Sequence, residues 1–585
     1  MKKPFLLAPA GSFAALKAAI EAGADEVYLG GSEFNARMNA GNFDKNELIK
    51  AARLCRSSNV KMHITLNTLV FDRELKALLE YVEFLENEVC PNALIVQDLG
   101  VACELRRNFP SLALHASTQM RIHSHEDAIF LKKLGFTRAV LARELPKQDI
   151  AAFVKTGLET EIFVHGAICV SESGGCLMSS VIGGRSGNRG ECAQPCRLPY
   201  RAENKYPLSV KDMCLAEHVT ELCDIGVTSL KIEGRMKSPD YVGAVTAVYR
   251  RLLDEGRNAT ESEMRLLKNI FSRSGFTDGY FINKIDKNMF GIRREEDKHN
   301  SDVKFTYPKA PPRIKSEDPI PANPEFFQRD EAKAFSPKLQ RGFVLRFEGR
   351  MPTDAYLKRF AERAARIDLP LALCTEPRFS PYAEKISAVL PRSIFESERE
   401  EIRLQLEKAR AFGIKHATVS SLNQLALCNG FYLHGDYAFN IINRASLEYF
   451  ESLSFSSLML SPETDGRFPK GSRCALEYIG YGRTPLMYTR TCIIANISGC
   501  LGKKRCFSRL TDRIGAEFPI ISAPNHTNVI YNSLPAYRLD RVGELKKSGV
   551  GLITLLFTTE TEKEAALITE CAFENRKPNI EFTRK

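Results

Sequence analysis

No run of eighteen uninterrupted apolar residues occurs in the 585-residue chain, which argues against a membrane-spanning helix. The HExxH pair of a zinc protease and the GxSxG elbow of an α/β-hydrolase are both missing. Charge of one sign is not in large excess. The 82 basic and 71 acidic residues leave a net +11, which permits RNA binding without pointing to it. Tryptophan is absent, and nothing follows from that. A cleavable leader is not expected either: MKKPFLLAPAGSFAALKAAI has two lysines and an apolar run, but Lys17 interrupts the run and the pattern continues into the strand-like GADEVYLGG. The expectation is a cytoplasmic protein with reduced thiols.

Cysteine, by contrast, is plentiful, with sixteen in all and four on one stretch. EIFVHGAICVSESGGCLMSSVIGGRSGNRGECAQPCR (161–197) starts as an apolar strand and turns at His165-Gly166. It then lays down Cys169, Cys176, Cys192 and Cys196 with the spacing C-x6-C-x15-C-x3-C. Ordinary buried thiols would sit in apolar runs, yet three of these four sit among Gly, Ser, Asn and Arg. Disulfides would need an oxidising compartment. A soft-metal site is therefore expected. Structural zinc is usually held by short C-x2-4-C pairs, whereas wide, irregular gaps between thiolates suit a [4Fe–4S] cluster. The loop's glycines let it fold tightly and present backbone N–H groups to sulfur. Cys214, in LSVKDMCLAE, competes with Cys196 as fourth ligand.

Around this stretch, residues 5–256 alternate short apolar runs with amphipathic ones. The strand candidates are FLLA (5–8), EVYLG (26–30), KMHITLN (61–67), ALIVQD (93–98), LALHAS (112–117), RAVLARE (138–144), EIFVHG (161–166) and SLKIEG (229–234). Strand–helix alternation indicates a parallel sheet. Eight strands over this length fit an α/β (β/α)8 barrel, with a doubly wound open sheet as the runner-up. In a barrel the chemistry lies where strands end. Polar residues gather there: Asn67, Asp98, His115, Gln119, Arg143, Glu144, His165, Glu233 and Arg235. Asn67, His115, Gln119 and Arg143 are candidates to bind substrate. Glu161, His165, Lys231, Glu233 and Arg235 are candidates for catalysis. Lys231, Glu233 and Arg235 share one face if KIEGR stays extended. They read either as an internal ionic network or as an anion site for a carboxylate substrate, with Arg235 offering bidentate geometry.

After the first domain (1–293), residues 294–340 are rich in Pro and charge and read as a linker. From 341 to 585 the alternation returns and echoes the first half. LALHASTQMRIHSHEDAIFLKKLGFTRAVLARE (112–144) parallels FYLHGDYAFNIINRASLEYFESLSFSSLMLSPE (431–463), and EIFVHG parallels EYIGYG (477–482). An internal repeat of this kind predicts a second barrel-like domain, complete or partial. Tyr481 replaces His165 there and the thiols are spaced differently, so the copy is expected to lack the first one's chemistry. Its own Cys492, Cys500 and Cys506, with His526 or Cys474 as a fourth, suggest a zinc site; unpaired structural thiols are the alternative.

EIFVHGAICVSESGGC, then NRGECAQPCR, then SLKIEGRMKSPDYV, in that order, resemble the U32 family of collagenase-like peptidases over most of residues 1–290. The resemblance implies one of two activities. The family's name implies a peptidase, for which Cys169 and His165 would be the pair. Its later-described members are oxygen-independent hydroxylases of a 23S rRNA cytidine, of the tRNA wobble uridine or of ubiquinone precursors, with prephenate as hydroxyl source for the RNA. The hydroxylase reading uses all four thiols, and the basic balance with a second domain suits an RNA partner. A non-enzymatic RNA-binding or maturation factor is a third reading.

Overall fold

The computed structural model describes residues 3–38, 41–202, 205–294, 297, 341–464, 471–497, 499, 506–522 and 527–578. The chain forms two compact units, and the segment Thr489–Cys500 goes with the first. The linker expected over 294–340 lies, apart from Arg294 and Asp297, outside the described residues.

In the first unit the eight expected strands all form: β1 (Phe5–Pro9), β2 (Glu26–Leu29), β3 (Lys61–Leu66), β4 (Ala93–Val96), β5 (Leu114–Ala116), β6 (Phe136–Val140), β7 (Glu159–Gly166) and β8 (Ser229–Ile232). They pair in order and in parallel, and β8 pairs with both β1 and β7, so the sheet closes into a barrel. Amphipathic helices cover it. In Asp72–Phe84, for example, Leu78, Tyr81 and Val82 are buried. Lys45–Ser57 begins at a capping box of Asp44 and Glu47, and Pro239–Glu255 begins at Ser238 with Pro at its first turn. A short strand, Asp212–Cys214, runs antiparallel to the end of β7, with His165 opposite Cys214.

The barrel interior is charged. Arg138 donates to Glu26 at 2.7 and 2.9 Å and to Glu161 at 3.2 Å, and Lys231 donates to the other oxygen of Glu161 at 2.7 Å. Glu26 and Glu161 are fully buried. Burial alone would raise the pKa of Glu26, but Arg138 outweighs it and holds the carboxylate at about 2.

The second unit repeats the plan: β9 (Gly342–Phe347), β10 (Arg366–Pro370), β11 (Ile386–Val389), β12 (His416–Val419), β13 (Tyr432–Gly435), β14 (Ser457–Met459), β15 (Ala475–Gly482) and β16 (Val550–Phe557). The last strand pairs with β9 and β15, so this barrel is closed rather than partial. The repeat extends to backbone detail. Arg121 after β5 and Asn440 after β13 both stand in the left-handed region. Each barrel carries its long excursion between its seventh and eighth strands. In the first it is the thiol loop. In the second it includes an antiparallel sheet of Phe507–Thr511, Glu517–Ser522 and Asn528–Tyr531, joined by Pro485–Thr489. Among the described residues no helix is long and apolar enough to cross a membrane.

Arg138→Met should strand the buried carboxylate of Glu26 and leave Glu161 with Lys231 alone, at a cost of about 3–5 kcal/mol. The first barrel's denaturant midpoint should fall accordingly. Glu26 is held below its ordinary 4.5, so the pairing stabilises the fold fully at neutral pH and stops doing so as pH falls toward about 2. A midpoint equal to that of the unaltered protein at pH 7 would show that the network contributes nothing.

Candidate active site at the mouth of the first barrel

KIEGR is not one extended strand: β8 ends at Ile232 and the chain turns. Lys231 therefore points inward to Glu161, while Glu233 and Arg235 emerge at the mouth. The two oxygens of Glu233 accept from Arg37 (3.4 Å) and Arg143 (3.1 Å), and the Arg143 guanidinium lies 4.1 Å over the Phe163 ring. Burial would raise the Glu233 pKa, but Arg37, Arg143 and Arg235 outweigh it and keep the carboxylate ionised. Arg235 is buried and donates to Thr65 Oγ1 (3.1 Å) and Asn35 Oδ1 (3.2 Å), both neutral oxygens. Burial, with Arg37 nearby, pushes its pKa down to about 10. Gly30 makes room for it, since a Cβ there would stand 2.4 Å from Arg235 Nη1. Three guanidinium groups thus surround one carboxylate. That positive surplus suits an incoming carboxylate.

Asn67 and Gln119 also lie at the mouth. Asn67 Oδ1 accepts from the Ala36 amide (3.1 Å) and its Nδ2 donates to Gln119 Oε1 (3.3 Å), which steadies the loop carrying Asn35 and Arg37. His115 and Glu161 are placed differently. They lie inside the barrel with His63, the three offering ligand atoms within 4.8 Å of one another, and the His115 ring is 4.7 Å from that of His63.

Three straps fix the thiol loop. Glu144 accepts from the Ser173 amide and from Ser173 Oγ, each at 2.9 Å, and is itself held by His123 Nε2 at 2.8 Å. Arg189 reaches Glu74 with both terminal nitrogens, at 2.8 and 2.6 Å. Arg197 donates to Ile168 O at 2.8 Å and Ser209 Oγ at 2.9 Å. Gly174, at φ +66°, packs so closely on Gln119 that a Cβ would stand 2.1 Å from the Gln119 carbonyl oxygen.

So held, Cys169, Cys176, Cys192 and Cys196 form one group. Burial, and then the neighbouring thiols, push Cys176 and Cys192 upward; burial pushes Cys196 up to about 12. Arg37 joins this group to the carboxylate: its pKa is raised by Glu233 first and by Cys169 and Cys192 as well. Cys214 stands apart, buried 3.7 Å from the Tyr249 hydroxyl and pushed up to about 12 by burial. Four thiolates on one zinc ion, at about 2.3 Å each, would lie about 3.8 Å from one another. Among the described residues, no three of these thiols bring their sulfurs within 4.8 Å of one another. Gln194 N donates to Cys192 Sγ at 3.4 Å, the kind of backbone contact that supports a thiolate.

His165 does not meet Cys169. Its ring is buried among Tyr249 and Phe276, its Nδ1 is 3.5 Å from the Tyr249 hydroxyl, and its Nε2 has no partner. Burial, with Lys237 nearby, pushes its pKa down to about 3. Cys169 is exposed. The thiolate–imidazole pair of a cysteine protease is not formed. Of the C-terminal thiols, Cys500 and the possible ligand His526 lie outside the described residues. Sequence reasoning missed Asn35, Arg37 and His63; for the first two, a position just past the second strand was the one available signal.

The family model for peptidase family U32 matches residues 11–290. An uncharacterized protease of Methanocaldococcus jannaschii is 37% identical over 310 residues, covering 48% of this chain and 74% of its own. The chain belongs to peptidase family U32. Other U32-like relatives have different names. The 23S rRNA 5-hydroxycytidine C2501 synthase of Escherichia coli is 40% identical over 292 residues, covering 48% of this chain and 43% of its own. A tRNA hydroxylation protein of Bacillus subtilis is 35% identical over 269 residues, covering 43% of this chain and 64% of its own. This U32 chain therefore spans less than two thirds of either RNA-related relative.

Glu144→Ala should free the middle of the thiol loop. Hydrogen bonds to a charged acceptor contribute about 1.5–3 kcal/mol each, so the Ser173 amide should exchange with deuterium at least about tenfold faster, with β1–β4 unchanged. Equal protection of Ser173 in both proteins would show that the strap does not hold the loop.

Proposed function

We propose that this U32 protein hydroxylates a pyrimidine in RNA, either a ribosomal cytidine or a tRNA wobble uridine. In this reading Cys169, Cys176, Cys192 and Cys196 hold a [4Fe–4S] cluster, and prephenate is the hydroxyl source. One observation carries the reading: the thiol loop packs so closely on the loop carrying Arg37 that a Cβ on Gly190 would stand 2.3 Å from the Asn35 carbonyl oxygen, and Arg37 in turn bonds Glu233, so thiols and arginines share one barrel mouth. A cluster bound there would supply one-electron redox chemistry. Arg143 and Arg235 bind and orient the donor's carboxylate. Glu233, kept ionised by its arginines, is the group positioned to take a proton. The target base must leave its stack to enter so recessed a mouth, which favours single-stranded loops of a folded RNA. The RNA class is supported by the names of the relatives above. A non-enzymatic RNA-binding factor would need neither the thiols nor the arginine surplus, and a cysteine peptidase would need the imidazole that His165 does not provide.

Anaerobically purified protein should carry about four iron atoms per chain. Cys176→Ala and Cys196→Ala should lose the iron and the visible absorption, while Cys214→Ala should keep both. Stoichiometric zinc in colourless protein would sink the cluster.

Mass spectrometry of RNA nucleosides tests the activity itself. Deleting the gene should remove one hydroxylated pyrimidine from ribosomal RNA or tRNA, and cells blocked before prephenate should lose the same mark. Unchanged nucleosides, together with gelatin cleavage by metal-free protein, would favour the peptidase instead.

A further inference from the structure

Beside the thiol loop the first unit holds a cavity of about 460 Å³, lined by Tyr206, Lys211, Ser274, Phe290 and Arg294 among others. That volume falls within the roughly 300–1,000 Å³ of small-molecule sites. Its wall is built into the thiol site. Arg197 ties Ile168 O, next to Cys169, to Ser209 Oγ. Ser209 in turn exchanges hydrogen bonds with Gly291, donating from Oγ at 2.7 Å and accepting from the Gly291 amide at 2.8 Å. The cavity is thus fixed relative to the thiols.

Its chemistry is cationic and aromatic together. Lys211 and Arg294 make no side-chain ion pair among the described residues. Next to them Arg293 lies 4.5 Å over the Phe271 ring, which Lys237 and Arg273 also approach. Among the described residues, two carboxylates lie beside these side chains. Asp212 is paired with Arg273, and Asp297 accepts from the backbone amides of Ser274 (3.2 Å) and Arg294 (2.8 Å). Among the described residues, Lys211 and Arg294 thus stand without a paired carboxylate, in a cavity that Phe290 and Tyr206 also line.

We infer that this cavity holds a nucleotide of single-stranded RNA next to the one being modified, with its phosphate on Lys211 and Arg294 and its base against Phe290 and Tyr206. The inference rests on the RNA reading above. Basic side chains interleaved with aromatic rings are the usual grip on single strands, because every base has a stacking face and every residue of the strand a phosphate. An acidic peptide would use the cations but leave the aromatic wall without a role.

The test is fluorescence anisotropy of the full-length, iron-loaded protein with a labelled single-stranded RNA of about 12 nucleotides, over a range of salt. Lys211→Ala combined with Arg294→Ala should weaken binding at least about tenfold and make the logarithmic salt dependence shallower by about 1.4, two phosphate contacts at about 0.7 each. Phe290→Leu, which keeps the apolar volume, should weaken binding about fivefold or more with the salt dependence unchanged. Iron content and thermal melting should not move in either variant. If the unaltered protein binds the RNA and the variants bind equally well, the cavity is not the site. If polyglutamate competes as well as RNA and Phe290→Leu has no effect, the ligand is an acidic protein and the inference falls. If the unaltered protein binds no RNA at all, the RNA reading itself fails.

Discussion

Glu161 is gripped by two cations inside the first barrel, where it is fully buried. Arg138 and Lys231 each take one of its oxygens, at 3.2 and 2.7 Å. In so dry a place neither an unpaired carboxylate nor an unpaired ammonium is tolerable, so the pairing fixes which way each side chain points. The consequence for the site is geometric. With Lys231 held inward, Glu233 and Arg235 emerge beyond the end of β8, where Arg37 and Arg143 can reach the one and Thr65 and Asn35 the other. The mouth is arranged from below.

The second barrel shows which part of that arrangement is general. Glu477 takes the place of Glu161 and is likewise buried against an arginine, Arg366, at 2.9 Å. By the strand registers Thr554 answers to Lys231, and it too bonds the shared glutamate, at 2.5 Å. Two and four residues on, Leu556 and Thr558 stand where the first barrel has Glu233 and Arg235. The backbone match is close. A Cβ on Gly349 would meet the carbonyl of Thr558 as one on Gly11 would meet that of Arg235. Interior pairing survives in both barrels, because any closed barrel with a buried glutamate needs it. The charged pair at the positions of Glu233 and Arg235 occurs in one.

Eight strands, their closure and the repeat were legible because apolar periodicity reports burial, and burial is what makes strands and helices. The thiol group was legible because cysteines among glycines and arginines have no reason to be core. What stayed hidden depends on distances across the barrel. KIEGR read as one face, and only the end of β8 at Ile232 divides it between interior and mouth. His115 read as a strand-end residue, yet the inward pleat of β5 sets it against His63. Arg37 and Asn35 sit in a loop with no periodicity to mark them. No local pattern could announce that Glu144 would catch Ser173 across 29 residues.

The two excursions between seventh and eighth strands complete the contrast. In the second barrel this excursion brings Tyr531 to Glu348 at 2.6 Å and Tyr488 to Tyr437 at 2.5 Å, while Arg346 is matched by Glu348 and Asp436, both at 2.6 Å. Among the described residues, these polar groups answer one another. In the first barrel the excursion is tied down by Glu144, Glu74 and Arg197, none of them a thiol. The loop's course is therefore set by ion pairs and backbone contacts rather than by the sulfurs. Arg235 is likewise held by neutral oxygens, those of Thr65 and Asn35, rather than by a carboxylate. What distinguishes the first barrel's opening, among the described residues, is therefore the thiol loop and the arginines around Glu233 rather than the ionic network beneath them.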